Sequence, residues 1–283
     1  MPSDCPEEER PRWSVEYWLD DAEAGDIEYA SYWNDSDVER TKEWDVRAGR
    51  FGQVEDYLGA VGLAEDLSAC LVAAQRLRGR ALGPTGVDLA AGTLWAVPAL
   101  LQDSGVERLW CVEYSRHRLL EIAPLMLDHY EVDPSRVVLC FGSFYDLQLP
   151  TGSVDFAFLS QAFHHADRPA ALLAELRRVL APGGVVMIIG EHRILLRHYA
   201  LYAARAAGRL LPAPLRKRLF VQSPTVRKTF PPSGSDIIPT DPLLGDHSYT
   251  LAEYKHMFGE AGFRVEKLPC GGKSTYRSFV LLA

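Results

Sequence analysis

The sequence predicts an α/β fold in which a mostly parallel sheet is covered by helices on both faces. From about residue 85, short apolar runs alternate with helical segments. Near-continuous apolar runs of this kind are typical of parallel strands that are buried on both faces. The chain then ends in a helix and two short strands joined by a brief Gly-rich link. Because a parallel pair needs a long crossover, this short link predicts an antiparallel hairpin.

Each predicted element follows from a local pattern. A capping box at Thr250–Glu253 begins the last helix, which ends near 261–262. The terminal hairpin is predicted at 264–268 and 276–282. The apolar runs predict five parallel strands at 86–90, 108–113, 136–141, 154–159 and 185–189, with intervening helices at 94–101, 117–126 and 169–180.

The chain divides into an N-terminal helical cap over 1–80 and a main domain over 81–283. Apolar residues recur at helical spacing in 51–63 and 67–77. Four of the six tryptophans lie in the first 50 residues, which indicates a layer packed on the main domain rather than a free linker.

Residues 192–235 are predicted to be a basic helical insertion after the fifth strand. They contain nine Lys or Arg residues and no acid. We expect, in this order, a solvated lid against the acidic N-terminal layer, a lid that binds an anionic or bulky acceptor, or contact with an anionic membrane surface.

Composition and charge exclude several classes of protein. The chain is 47% hydrophobic and 24% charged, as in soluble globular proteins. It has no apolar run of about 18 residues, which predicts no spanning helix, and its acidic start does not resemble a signal peptide. Five scattered cysteines favour a reducing, cytoplasmic location. The net charge of −8 arises in residues 1–50, so no nucleic-acid partner is expected.

Polar residues follow the first two predicted strands. Asp88 ends the first strand, Gly92 lies in the loop behind it, and Glu113 ends the second strand. Ligands of open α/β sheets bind at the carboxyl ends of the strands. Taken singly, Asp88 could cap a helix and Glu113 could be a solvated strand end, but their spacing within strand–loop–helix units favours a binding site.

These motifs resemble those of the class I S-adenosylmethionine-dependent methyltransferases. Residues 87–93, VDLAAGT, resemble the glycine-rich first motif, Glu113 matches the ribose-binding acid, and residues 142–150 resemble the adenine-side motif. Residues 160–165 and 170–184 are similar to the small-molecule branch that includes the ubiquinone/menaquinone methyltransferases. The resemblance implies a Rossmann-like sheet of seven strands, with five parallel strands and an antiparallel terminal hairpin. It also implies S-adenosylmethionine as cofactor and S-adenosylhomocysteine as product.

The resemblance assigns a cofactor site. Its predicted residues are Asp88, Ala90, Gly92, Glu113, Tyr114, Ser143, Phe144, Ser160 and Gln161, with Tyr32 and Trp33 closing the pocket. Of the three alternate glycines of the first motif only Gly92 is present. We expect Ala90 to keep a negative φ and Leu94 to begin a helix. With Ser143 in place of an Asp, adenine recognition is expected to depend on backbone groups and Phe144. NAD fits poorly, because the loop has one glycine and Asp88 would face a pyrophosphate.

Two histidines past the fourth strand are the predicted catalytic residues. His164 and His165 lie where the family places its catalytic groups, and an imidazole suits general-base work on a hydroxyl or on a carbon next to a carbonyl. The alternative is that they pack or cap a helix. The candidates for acceptor contact are Glu191, His192, His247 and Tyr199.

No bound metal is predicted. His164, His165, Asp167 and His247 could supply ligands, but their spacing does not demand a metal.

The predicted function is O- or C-methylation of a small molecule in secondary or quinone-like metabolism. A homodimer and contact with a membrane surface are kept as further options. The alternative is a non-methylating member of the fold that binds the cofactor for a rearrangement or elimination, or that serves as a partner subunit.

Overall fold

An eight-stranded sheet forms the centre of the protein. The computed structural model describes residues 12–20, 23, 30–35, 44–102, 105–208, 232–238, 245–269 and 276–283. The strands are β1 (Ser14–Tyr17), β2 (Thr85–Leu89), β3 (Arg108–Glu113), β4 (Val137–Phe141), β5 (Val154–Ser160), β6 (Leu180–Glu191), β7 (Arg264–Lys267) and β8 (Arg277–Leu282). Their order in the sheet is β1-β4-β3-β2-β5-β6-β8-β7. Strands β1 to β6 pair in parallel, while β8 pairs antiparallel with β6 and with β7. The predicted fold class and the antiparallel terminal hairpin are therefore confirmed.

The strand count of seven and the purely helical N-terminal cap are wrong. Ser14–Tyr17 forms an edge strand that pairs in parallel with β4, from Ser14 opposite Val138 to Tyr17 opposite Phe141. The backbone groups along the outer side of β4 need partners, and this segment supplies them. The neighbouring Trp13 side chain is buried in the main core, which holds the strand in place.

Helices cover the sheet, and four of the described ones come from the predicted cap. The helices are α1 (Ala30–Asp35), α2 (Trp44–Arg47), α3 (Gly52–Val61), α4 (Leu63–Arg78), α5 (Val97–Gln102), α6 (Ala123–His129), α7 (Pro169–Val179), α8 (Leu196–Gly208), α9 (Gly234–Ile237) and α10 (Leu251–Glu260). A single turn of π-helix, Arg118–Ile122, leads directly into α6. Within the described residues no single helix is long and apolar enough to cross a membrane; α3 and α4 pass that test only together, across a bend of 70°.

Helix α4 belongs to the main core. Its buried face includes Leu63, Leu67, Cys70 and Ala74, which join one hydrophobic cluster with residues of β3 to β6 and β8. The spacing of these residues is that of one helical face. Helices α3 and α4 therefore help to build the sheet's own core, and they place the N-terminal segment next to the carboxyl ends of the strands.

The described part of the predicted insertion is helical. Helix α8 is largely exposed, with Leu196, Tyr199 and Leu201 among its exposed residues. Residues 209–231 of the insertion, residues 36–43 of the predicted helical cap and the link over 270–275 lie outside the described residues.

Candidate functional site

A cavity of about 780 Å³ opens at the carboxyl ends of β2, β3, β4 and β5. This volume lies within the usual range of small-molecule sites, about 300–1,000 Å³. Residues of helices α1 and α3 and of the turn after β5 also line the cavity. Asn34 fixes α1 there, because its Oδ1 accepts a hydrogen bond from the Arg116 backbone N–H at 3.1 Å.

The loop after β2 has left-handed backbone at alternate positions. The φ angles are 51° at Ala90, 57° at Gly92 and 57° at Leu94. The expectations of a negative φ at Ala90 and of a helix beginning at Leu94 are therefore wrong, and α5 begins only at Val97. A non-glycine residue in this region costs roughly 1–2 kcal/mol. Complete burial of the Leu94 side chain offsets that cost. The loop thus has the left-handed backbone at alternate positions that three glycines would permit, although only one of the three positions is a glycine.

Asp88 presents a buried carboxylate beside this loop. The side chain is 1% exposed, and its Oδ2 has no hydrogen-bond partner among the described residues. Burial, and then the charge of Glu113, raises the pKa of Asp88 well above its usual value. Such a group is costly unless a cation or a donor reaches it. The unpaired oxygen therefore suits the ammonium group of an amino-acid ligand.

Glu113 ties the end of β3 to the loop. Its Oε2 accepts the Gly92 N–H at 2.7 Å, and its Oε1 accepts the N–H groups of Tyr114 and Ser115 at 2.8 and 2.7 Å. A carboxylate offers about four acceptor positions. Three are used by the backbone, so Oε2 keeps one position for a ligand hydroxyl.

The remaining predicted cofactor residues lie on the adjoining wall. Ser143 Oγ accepts the Tyr145 N–H at 3.2 Å and keeps its own proton for donation. The Phe144 ring makes an edge contact with Tyr145, with 4.7 Å between their centroids. Gln161 has a φ of 51°, and its N–H donates to the Ile189 carbonyl at 2.9 Å. These residues line the cavity together with Tyr114 and Ser160.

His164 also lines the cavity, and its imidazole lies against a buried carboxylate. Its Nδ1 is 3.3 Å from Glu191 Oε2, and the imidazole is 5% exposed. Glu191 is fully buried and accepts the Tyr254 hydroxyl at 2.7 Å and the Phe163 N–H at 3.2 Å. Burial opposes the charged form of both partners. Their mutual attraction and hydrogen bonding outweigh it, which raises the pKa of His164 and lowers that of Glu191. Glu191 is therefore a support for His164 and not an acceptor contact, which corrects its predicted role.

Two further histidine–acid pairs surround His164. His165 Nδ1 lies 2.9 Å from Asp246 Oδ1, although the direction is not that of a hydrogen bond. His247 Nε2 lies 3.1 Å from Asp167 Oδ1, and the His247 backbone N–H donates to the His164 carbonyl at 2.7 Å. The loop before α10 is thereby held against the turn that carries both predicted catalytic histidines.

The predicted site residues separate into those at the cavity and those away from it. Tyr32 contacts Trp33 edge to face but is not part of the cavity lining. His247 is also outside the lining, and Tyr199 is 40% exposed on α8. At the cavity are Asp88, Ala90, Gly92, Glu113, Tyr114, Ser143, Phe144, Ser160, Gln161, His164, His165, His192 and Trp33.

Sequence reasoning missed two residues that the structure places in this site. Asp246 lines the cavity, and Tyr254 supports Glu191. The only signal for Asp246 was its position next to His247. Tyr254 lies inside a helix whose apolar pattern gave no reason to single it out.

Comparison with known proteins identifies a methyltransferase domain within the chain. The family model described as "Methyltransferase domain" matches residues 87–188, the part of the chain that carries the loop, Glu113 and the histidines. The chain carries a class I S-adenosylmethionine-dependent methyltransferase domain. Its cofactor is S-adenosylmethionine. No significant match was found among curated proteins.

Solved structures share the fold of this methyltransferase. A chain from the complex of the Haloferax volcanii Trm112 methyltransferase activator with a proposed methyltransferase is 18% identical, covering 85% of this chain and 96% of its own, with a TM-score of 0.50. A proposed S-adenosylmethionine-dependent methyltransferase from Methanococcus maripaludis is 14% identical over 85% of this chain and 94% of its own, with a TM-score of 0.50. A proposed O-methyltransferase from Nostoc punctiforme is 18% identical, covering 83% of this chain and 59% of its own, with a TM-score of 0.50.

The cavity fits the cofactor of this methyltransferase. The unpaired Oδ2 of Asp88 suits the ammonium group, and the free acceptor position of Glu113 suits a ribose hydroxyl. Donor bonds to a charged carboxylate are worth about 1.5–3 kcal/mol each. The aromatic ring of Phe144 is available to the adenine.

Proposed function

We propose that the protein methylates a small-molecule acceptor whose hydroxyl, or whose C–H next to a carbonyl, loses its proton at the wall formed by His164 and His165. The main observation behind this proposal is that the ends of β2 and β3, which carry Asp88 and Glu113, and this wall line the same cavity. The contact between His164 and Glu191 adds support, because an imidazole with one nitrogen held by a carboxylate has its other nitrogen available to a ligand.

The chain's own residues orient both partners of the reaction. Asp88 and Glu113 hold the amino-acid and ribose ends of the donor, which supplies a methyl group on a sulfonium sulfur when it is bound. Placement of two reactants in line can lower a barrier by roughly 7–11 kcal/mol. The acceptor proton passes to an imidazole of the wall, the acceptor atom bonds to the methyl carbon, and the C–S electron pair remains on sulfur.

Aromatic side chains shape the acceptor end. Trp33 makes an edge contact with His165 at 5.4 Å between centroids, and Arg118 lies over the Trp33 ring at 5.7 Å. Tyr57 and Tyr276 line the cavity as well. This environment favours a flat, hydroxylated acceptor, because aromatic walls exclude water and stack on planar rings.

The test is the separation of turnover from cofactor affinity. His164→Ala and His165→Ala should each lower the formation of S-adenosylhomocysteine from a panel of phenolic and quinol acceptors by about 100-fold or more. Their affinity for S-adenosylhomocysteine, measured by calorimetry, should stay within about threefold of wild type. His256→Ala, a change of an exposed histidine on α10, is the matched control.

Full activity in both His164→Ala and His165→Ala would contradict the proposal. Consumption of an acceptor without transfer of a methyl group would instead support the alternative, a member of the fold that catalyses a rearrangement or elimination. A homodimer, a cytoplasmic location and contact of the basic insertion with a membrane stay predictions from the sequence.

A further inference from the structure

We propose that His164, His192 and Asp246 bind a divalent transition-metal ion at the acceptor end of the cavity. This inference deepens the proposed function, on which it rests, by assigning the way in which the acceptor oxygen is held. The three residues come from the turn after β5, the residue that follows β6 and the loop before α10. All three line the cavity.

The three side chains already converge. One ring nitrogen from each histidine and one carboxylate oxygen of Asp246 lie within 4.8 Å of one another. The two imidazole rings are 4.5 Å apart between centroids and inclined by 37°. Metal–ligand bonds of about 2.0–2.2 Å would bring these atoms closer together, which small side-chain rotations can achieve.

Glu191 provides the support that a metal-binding histidine needs. Its carboxylate lies 3.3 Å from His164 Nδ1, so Nε2 is the nitrogen left for a metal. Metal-bound histidines usually donate their second N–H to a carboxylate or carbonyl, which fixes the tautomer and the ring orientation. The Tyr254 hydroxyl and the Phe163 N–H hold Glu191 in turn. His164 is thus oriented before any ligand arrives.

Asp246 has a buried oxygen whose hydrogen-bonding capacity is not used. Its Oδ1 forms an ion pair with His165 Nδ1 at 2.9 Å but makes no hydrogen bond to any of the described residues. A buried acceptor without a partner costs about 1–3 kcal/mol. Coordination of a cation would satisfy this oxygen. His165 remains outside the ligand set, so it is the imidazole of the wall that takes the acceptor proton when the metal is bound.

The donor set selects the class of metal. Two imidazole nitrogens and one carboxylate oxygen suit Zn²⁺, Fe²⁺, Co²⁺ or Mn²⁺ better than Mg²⁺ or Ca²⁺, which prefer oxygen ligands. Three protein ligands leave coordination positions open, as in catalytic metal sites. Because the cluster borders the cavity, an acceptor oxygen can take such a position, where the metal lowers the pKa of its hydroxyl.

The experiment uses Co²⁺ as the probe on the full chain, freed of metal by a chelator. We expect one Co²⁺ per chain, detected by calorimetry and by visible absorption of the bound ion. His192→Ala and Asp246→Asn should weaken binding by at least about 100-fold, and Glu191→Gln by about 10- to 100-fold. His256→Ala, the exposed-histidine control, should bind as wild type does. Unchanged affinity for S-adenosylhomocysteine shows that each variant is folded.

Two outcomes would overturn the metal site. One is the absence of Co²⁺ binding in the wild type, and the other is equal binding in His192→Ala and Asp246→Asn. If metal-free protein methylates acceptors at the wild-type rate, the metal role is lost while the proposed function stands. If Co²⁺ binding follows the expected pattern but no acceptor is methylated, the metal site stands and the proposed function fails.

Discussion

Replacement of Glu113 by glutamine tests the cofactor site most directly. The carboxylate is 7% exposed and accepts three backbone N–H groups, which leaves one acceptor position on Oε2. Glutamine keeps the shape but places an NH₂ group at one of the two oxygen positions. We expect Oε1 to stay on Tyr114 and Ser115, because that oxygen accepts two bonds, so the amide nitrogen faces Gly92 and the ligand.

The size of the effect follows from the lost bonds. Loss of one charge-assisted bond to a ribose hydroxyl costs about 1.5–3 kcal/mol, which corresponds to about 10- to 150-fold in the Kd for S-adenosylhomocysteine. Loss of the Gly92 N–H partner costs a further 1–3 kcal/mol or so of folding free energy. Each kcal/mol lowers the melting temperature by about 2–4 °C in a chain of this size.

Calorimetry with S-adenosylhomocysteine and thermal unfolding measure the two effects separately. Glu175→Gln is the matched control, because Glu175 also accepts a backbone N–H, from Leu147 at 2.7 Å, but is not part of the cavity lining. It should lower the melting temperature and leave the affinity unchanged. An unaltered affinity in Glu113→Gln would refute the assignment of Glu113 to the ribose.

Three further substitutions test the loop and its surroundings. Asp88→Asn should stabilise the cofactor-free protein at neutral pH. In the wild type the raised pKa of Asp88 makes its ionisation unfavourable in the folded state. The wild-type free energy of unfolding therefore falls as the pH rises above 3.8 toward that pKa. Unfolding curves across this range should lose that slope in the variant, and binding of S-adenosylhomocysteine should weaken more than binding of methylthioadenosine, which lacks the ammonium group. Gly190→Ala should lower the free energy of unfolding by about 1–3 kcal/mol more than Gly152→Ala does. Both glycines have left-handed backbone, but only at Gly190 would an added Cβ meet other atoms, the nearest at 2.5 Å. Equal losses of stability in urea unfolding would contradict this steric argument. Ala90→Gly should not lower the melting temperature, because the backbone of Ala90 is left-handed, which suits glycine. Ala99→Gly, inside helix α5, should lower the free energy of unfolding by about 1 kcal/mol.

The family was recognisable because its signals are local. Apolar runs of strand length, the spacing of Asp88 and Glu113, and the cap at Thr250 each depend on a few neighbouring residues. The order and direction of the central strands follow from the same patterns, since parallel neighbours need a helical crossover and the last hairpin does not. These features yielded the sheet, the cofactor and many of the residues that line the cavity.

Backbone conformation in the loop was decided by packing. From the sequence we expected a negative φ at Ala90 and a helix that begins at Leu94, because left-handed backbone is costly for residues other than glycine. The structure adopts it at both positions. Burial of Leu94 outweighs the local cost, and that burial exists only once α5 and the sheet are assembled. Strand β1 has the same kind of cause, since its partner β4 is distant in sequence.

The sequence by itself determined the fold, the donor and the presence of histidines past the fourth strand. Only the tertiary structure decided that Glu191 lies behind His164, that Tyr254 holds Glu191, and that Asp246 meets His164 and His192. The physical reason is that periodicity and capping fix which element a residue belongs to, whereas a contact between side chains on separate elements depends on how those elements pack. For this protein, the acceptor end of the site is made of such contacts.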